Sequence, residues 1–190
     1  GSCEIYGDSD GVITEETPIN PPNPYSASKA AVDRICFTYW KSYGLPVKVA
    51  RFFNPYGPHQ QMNKIIPTFY FQAVRDSPIT VYGAGYDTRD YTYVSDIVEA
   101  LWACRTLKGG EAVNVCTGVA TTNLQMAKMV IAALGSRSEV RFGPYPEVFG
   151  GIKKQVGSNE KIRRLLGWSP KVALDEGLRL TLEWLKTRKA

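Results

Sequence analysis

Tyr25 and Lys29, in the stretch NPPNPYSASKAAVDRI from Asn20 to Ile35, stand four residues apart at the opening of a helix-like run. That spacing puts a phenol and an ammonium on one helix face, one turn apart, where both address the same small volume. A phenol titrates near ~10 and a cation held close stabilises its anion, so such a pair suits a general base working near neutrality. The competing reading is a buried tyrosine beside a solvated lysine, and a four-residue pattern does not separate the two.

The element that must position the pair is a helix. Pro24 suits a first turn, Ser26 and Ser28 are placed to serve backbone amines, and Ala27, Ala30, Ala31, Val32, Ile35 and Cys36 form an apolar stripe at helical spacing. Gly44 and Pro46 stop the run after Tyr43. Around it, strand-like and helix-like segments alternate. GSCEIYG reads as a strand end, LPVKVARFF as a buried strand, Ile66 to Arg75 as a helix, and PITVYG and RDYTYV as short strands. DIVEALWACRTL reads as a helix capped by Ser95 or Asp96, AVNVCTG as a strand, and TTNLQMAKMVIAALG as a capped helix ended by Gly135. EVRFGP reads as a last strand before two basic helices around EKIRRLLGW and LDEGLRLTLEWLKTRKA. The class is α/β, without repeats or low complexity. GAGYDT, from Gly83 to Thr88, begins like a phosphate loop but runs into a strand rather than a helix, so it reads as a turn joining two strands.

With 190 residues, 44% hydrophobic and 22% charged, the chain has the make-up of one globular domain or a piece of a larger protein. No segment is long and apolar enough for a membrane span, and Glu4, Asp8, Asp10, Glu15 and Glu16 speak against a secretory leader. Cys3, Cys36, Cys104 and Cys116 form no CxxC pair, which points to reduced thiols in the cytoplasm and against zinc. The single histidine, His59, weakens any metal or triad reading. The net charge of +5 sits mostly after Lys153 and is broken by acids, so it reads as solvated helix faces rather than a nucleic-acid surface. It also suits a phosphate-bearing substrate.

The motifs SCEIYGD, NPYSASKAAVD, VARFFNPYGPHQ, PITVYGAGYDTRDYTYVSDIVEA, NVCTG and KIRRLLGWSPKVALDEGL together resemble the C-terminal part of an extended short-chain dehydrogenase/reductase. More narrowly, the chain resembles the NAD-dependent nucleotide-sugar epimerase/dehydratase family. The resemblance implies the last strands of a Rossmann-like parallel sheet plus a small α/β substrate-binding region. Residues 1–60 would be the remnant of the dinucleotide-binding domain and residues 61–190 mainly the substrate region, with some elements returning to the Rossmann domain. The family's N-terminal half, with its glycine-rich turn for the NAD pyrophosphate, is not matched by any part of the chain.

By that resemblance Tyr25 is the catalytic base, Lys29 holds the nicotinamide ribose and favours the phenolate, and Ser2 hydrogen-bonds the reacting hydroxyl. Tyr25, Lys29 and Phe53 fall at the cofactor, and Glu4 joins the catalytic group. The 4,6-dehydratases carry Asp then Glu where this chain has Cys3 and Glu4, so dehydration is disfavoured. Asn54 and Arg89 match residues that hold the substrate diphosphate, and Tyr82 lies in the strand flanking the base. For Arg89 the competing reading is a surface ion pair with Asp87 or Asp90. Where the family has an Arg-Pro-Gly-Asp stretch this chain has EVFGGIKKQ, with Val148 and Gly151 at the Arg and Asp, and Lys153 or Lys154 left to supply charge.

The expected function is that of an NAD-dependent nucleotide-sugar epimerase, with dehydratase or glucuronate decarboxylase as alternatives. A truncated nucleotide-sugar-binding module without activity is a further alternative, and a basic nucleic-acid binder ranks last. The 190-residue chain is expected to be inactive alone and to bind NAD weakly. It is also expected to associate, as a homodimer or through an exposed sheet edge and the Ala30 to Ser42 helix.

Overall fold

Helix α1, Pro24–Tyr43, begins with a reciprocal cap in which the Asn23 side chain accepts the Ser26 N–H and the Ser26 hydroxyl accepts the Asn23 N–H. Pro24 occupies the first position and Gly44 closes the helix in the left-handed region at φ 67°. Ser28 serves no amine, and its hydroxyl donates to the Tyr25 carbonyl at 2.7 Å. The computed structural model that gives this picture describes residues 1–145 and 151–188.

After α1 come β1 (Val49–Phe52), β2 (Pro55–Tyr56), α2 (Ile65–Ala73), β3 (Ile79–Tyr82), β4 (Thr88–Arg89), β5 (Thr92–Tyr93) and α3 (Val94–Cys104). Then follow β6 (Ala112–Val115), β7 (Thr121–Thr122), α4 (Asn123–Leu134), β8 (Val140–Gly143), α5 (Glu160–Leu166) and α6 (Leu174–Lys186). Three pairs are parallel, β1 with β6, β2 with β5 and β3 with β8, while β4 and β7 run antiparallel. Parallel neighbours need long crossovers, which the helices supply, and this is a mixed α/β architecture of Rossmann-like type. Ser2 bridges Phe52 in the parallel sense, so β1 lies between the start of the chain and β6.

Several local expectations change. GSCEIYG is extended only at Ser2, because Cys3–Tyr6 winds into a 3-10 turn that Ser2 caps through its Oγ and the Glu4 N–H. The GAGYDT segment is, as expected, a turn joining two strands, β3 and β4, although these pair not with each other but with β8 and β7. Helix α3 has no side-chain cap, and Asp96 instead accepts the backbone N–H groups of Lys171 and Val172. The largest change concerns α1. Its buried residues are Ser26, Ala30 and Asp33, while Val32, Ile35, Phe37, Tyr39 and Tyr43 of the apolar side stand exposed.

What holds α1 to the sheet is therefore polar. Arg51, on β1 and 3% exposed, donates Nε to Asp33 Oδ2 at 2.8 Å and Nη2 to Oδ1 at 3.0 Å. Its Nη1 reaches the Tyr6 hydroxyl at 2.6 Å, and that hydroxyl donates to Asn114 Oδ1 on β6 at 2.8 Å. The network thus ties the 3-10 turn, α1, β1 and β6 together. Apolar packing is collected elsewhere. One cluster is built from α2, β3, α4 and α6 around Ile66, Met126 and Leu185, and a second from β1, α3, β6 and α5 around Val113 and Ile162. A small third one, with Ile5, Ile13, Phe53 and Cys116, lies under the 3-10 turn. Among the described residues no helix is long and apolar enough to cross a membrane.

Burial alone pushes the Asp33 carboxyl up, but hydrogen bonds from Arg51 and Arg34 outweigh it and hold the group below the ordinary carboxylate range. Its contribution to stability is present above the unfolded value of ~3.9 and is lost as pH falls through the lowered folded value. Arg51→Met leaves the buried carboxylate with Arg34 alone, a half-exposed partner, and should cost about 3 kcal/mol by urea denaturation at pH 7. In Asp33→Asn the acid-side loss assigned to this carboxyl should disappear from a plot of stability against pH.

Candidate active site

Tyr25 sits in the first turn of α1, 53% exposed, and the Lys29 ammonium lies 5.5 Å from its ring centroid. Among the described residues the Tyr25 hydroxyl has no hydrogen-bond partner and Lys29 no ion pair. The phenol and ammonium therefore remain available to something outside the chain. This donor set, one cation beside one ionisable hydroxyl on an open face, fits the ribose diol of a dinucleotide together with a substrate hydroxyl. The buried-tyrosine reading fails on the exposure of Tyr25.

The 3-10 turn packs against α1 and carries Ser2 and Glu4, both partly exposed. Cys3, between them, faces inward. It is 3% exposed, its Sγ donates to Gln155 Oε1 at 3.3 Å, and burial pushes its thiol up to about 12. Gln155 is itself buried and donates to the carbonyls of Cys3 and Gly7, so the turn is held from behind by one amide. Phe53 is fully buried, and its N–H donates to the Val115 carbonyl at 3.0 Å. Gly157 packs on it so closely that a Cβ there would lie 2.6 Å from Cys116 Sγ and 2.8 Å from Phe53 Cζ. That contact seats the segment from Ile152 to Ser158 under the turn.

Asn54, Tyr82 and Arg89 come together on one cavity of about 200 Å³, shared with Gln60, Asp87, Asn123 and Tyr145. Arg89 reaches it from β4, steadied by three backbone carbonyls: Nη1 donates to Thr88 and Lys153, and Nη2 to Ile152 at 2.6 Å. Neither aspartate beside it forms the ion pair weighed above. Asp87 accepts the Tyr145 hydroxyl, and Asp90 is occupied by Thr117, Gly118 and Gly157. Among the described residues Arg89 makes no ion pair, so its guanidinium is open to an anion in the cavity that it shares with the Asp87 carboxylate. Asn54 has φ 26°, in the left-handed region that asparagine tolerates, and its Nδ2 is buried with no protein partner.

Tyr25, Lys29, Ser2 and Glu4 do not line this cavity; they stand on α1 and the turn beside it in sequence order. Of the two lysines offered in place of the missing arginine, Lys154 is engaged with Asp10 at 2.7 Å. Lys153 lies 5.7 Å from the ring centroid of Tyr145, a cavity residue. Val148 falls outside the described residues. Sequence reasoning passed over Gln60, Asn123 and Tyr145, none of which belongs to a pattern with a chemical period. It also passed over Asp33, whose position four and eight residues beyond Lys29 and Tyr25 was a legible signal. A larger cavity of about 370 Å³ between Tyr91, Thr117 and Pro170 to Leu174 has Lys171 as its one charged lining residue and gathers none of the candidate residues. Among the described residues no three His, Cys, Asp or Glu side chains gather as for a metal.

A family model described as GDP-mannose 4,6 dehydratase matches residues 1–181. The dTDP-D-glucose 4,6-dehydratase of Homo sapiens is 36% identical over 96% of this chain and 54% of its own length. The UDP-glucuronic acid decarboxylase 1 of Danio rerio is 33% identical over 96% of this chain and 45% of its own length. Among solved structures, the UDP-glucuronic acid 4-epimerase of Bacillus cereus in complex with UDP-glucuronic acid and NAD superposes with a TM-score of 0.92 at 27% identity. That match covers 98% of this chain and 60% of the epimerase. The chain spans about half the length of the curated relatives it matches.

Arg89→Gln removes the guanidinium charge while keeping an amide in its place. Inorganic pyrophosphate, titrated calorimetrically into the chain, should bind at least about tenfold more weakly to this variant, since charge-assisted bonds are about twice as strong as neutral ones. Equal affinities would remove Arg89 as the anion site.

Proposed function

We propose, from the premise that the chain belongs to the GDP-mannose 4,6 dehydratase family whose model covers residues 1–181, that it is part of an NAD-dependent nucleotide-sugar epimerase. The whole enzyme would oxidise a ring hydroxyl of a nucleotide-diphosphate sugar transiently and reduce the same carbon from its other face. In this reading residues 1–60 belong to the dinucleotide domain and residues 61–190 mainly to the substrate region.

Bound nicotinamide supplies the oxidising and then the reducing equivalent. The rest is work for this chain's own side chains. Tyr25 takes the hydroxyl proton, Lys29 favours the phenolate that results from its own ionisation, and Ser2 holds the reacting oxygen in line. At the far end, Arg89 and Asn54 fix the diphosphate, so that the sugar is presented to Tyr25 at a constant reach. When the carbon is reduced, the proton returns from Tyr25 to the new hydroxyl. The residues for the nicotinamide end are present, while no glycine-rich turn for a pyrophosphate occurs in this sequence, so this chain alone should bind NAD weakly.

The observation that carries the choice of epimerisation is Cys3. Loss of water from the sugar needs an acid where the related dehydratases place an aspartate. Here that residue is a buried neutral thiol turned toward Gln155. Its high pKa makes it a poor proton donor near neutrality. Decarboxylation of a glucuronate is the second reading. It is favoured by the decarboxylase relative, and it asks nothing of Cys3, because the oxidised ring expels carbon dioxide without an acid at that position.

The exposed apolar side of α1, with Val32, Ile35, Phe37, Tyr39 and Tyr43, supports a homodimer built on this helix. Ile35→Asp should shift the chain toward monomer in light scattering; a parent chain that is already monomeric would count against the dimer. Tyr25→Phe in the full-length enzyme should lower kcat by ~10²–10⁴, the range of general-base catalysis. Near-normal turnover would exclude Tyr25 as the base. Nuclear magnetic resonance of the product from UDP-glucuronic acid separates an epimer from a pentose with released carbon dioxide, and a 4-keto-6-deoxy sugar from dTDP-glucose would overturn the argument from Cys3.

A further inference from the structure

The cavity around Arg89 holds two buried polar atoms of opposite kind that no group among the described residues satisfies: the donor Asn54 Nδ2 and the acceptor Gln60 Oε1. The orientation of the Gln60 amide is not arbitrary. Its Nε2 donates to the Pro55 carbonyl at 3.4 Å, and turning the amide over would set two carbonyl oxygens against each other. The Gln60 carbonyl is therefore the end left over. It lines the same cavity as Arg89 and Tyr82.

The diphosphate of a nucleotide sugar, esterified at both ends and fully ionised, offers acceptors only. Its oxygens match Arg89 and the Asn54 N–H, and they have nothing to give a carbonyl. Building an unpartnered acceptor into the wall of an anion site weakens that site unless the ligand also brings a donor. We propose that Gln60 reads an O–H or N–H donor on the non-phosphate part of the nucleotide sugar and so makes the cavity select a nucleotide sugar over a bare diphosphate. This rests on the nucleotide-sugar reading above. The donor comes either from a sugar hydroxyl or from the ring N–H of the base, and both impose the same requirement at Gln60. A ligand that lacks it leaves the carbonyl and its own contact unpaired, the situation in which polar sites discriminate most strongly.

The test is calorimetry on the full-length protein with NAD, titrating UDP-glucuronic acid, UDP, dTDP-glucose, dTDP and inorganic pyrophosphate into wild type and Gln60→Met. Methionine keeps the length and removes the acceptor. Affinity for the nucleotide sugar should fall about tenfold, the equivalent of one hydrogen bond, while pyrophosphate binding stays unchanged and reports that the site is still folded. If the nucleoside diphosphate weakens by the same factor, the donor is on the base; if only the sugar nucleotide weakens, it is on the sugar. Gln60→Glu gives a second check, because it keeps an acceptor and adds charge. Pyrophosphate binding should drop in it while preference for nucleotide over pyrophosphate is retained. Unchanged nucleotide affinities in Gln60→Met, or a loss shared equally by pyrophosphate, overturns the inference. A wild-type protein that binds none of the nucleotides overturns the proposed function itself, and the role of Gln60 with it.

Discussion

The pairing of Arg51 with Asp33 is the constraint on which the rest of the site depends. Each is a charge almost removed from water, Arg51 on β1 and Asp33 on α1, and each meets the other with two hydrogen bonds, with Arg34 beside Asp33 and the Tyr6 hydroxyl beside Arg51 completing the set. The pair fixes the roll of the helix as well as its distance from the sheet. Successive steps of four residues advance about 40° around a helix, so Lys29 lies about 40° and Tyr25 about 80° around from Asp33. The exposures follow that gradient, from buried Asp33 through half-buried Lys29 to exposed Tyr25. A carboxylate pulled inward thus sets a phenol at the exposed rim, open to a ligand. Tyr6 extends the same network to the 3-10 turn that carries Ser2 and Glu4, so both parts of the proposed catalytic group share one anchor.

The price of anchoring a helix through charge is that its apolar side chains gain no cover from its own sheet. Ser26 and Asp33 face in, while Val32, Ile35 and Tyr43 face out. Trp40 is the exception, laid against the Gly109–Gly110 turn, where any Cβ would collide with its ring. These exposed apolar residues are the surface that the proposed dimer would cover.

A second link joins the two functional regions. The segment from Ile152 to Ser158 gives its Ile152 and Lys153 carbonyls to Arg89 and its Lys154 N–H to Asp8, beside the catalytic turn. Gln155 then holds Cys3 and Gly7, and Gly157 seals the strand end at Phe53. The Arg89 guanidinium and the turn that carries Ser2 and Glu4 are therefore positioned by one stretch of backbone. Its seven residues fix their separation through hydrogen bonds and packing.

Much of the fold was written locally. The caps Asn23 to Ser26 and Thr122 to Gln125, the stops at Gly44 and Gly135, and the period of α2, α4 and α6 are interactions between neighbours in sequence, so helices and most strands are legible there. Tyr25 with Lys29 is legible for the same reason, since a helix converts a spacing of four into contact. What the sequence did not determine is everything that depends on partners far along the chain. The buried face of α1 follows Asp33 because Arg51, eighteen residues away, must be met, and apolar periodicity alone pointed to the opposite side. GSCEIYG has strand-like composition, yet Gln155, 152 residues from Cys3, holds it as a 3-10 turn. Gln60, Asn123 and Tyr145 acquire meaning only as walls of one cavity. Local geometry costs little to specify because its contacts close short loops, whereas desolvated charges and unpaired amides are decided by whichever distant group the folded chain brings to them.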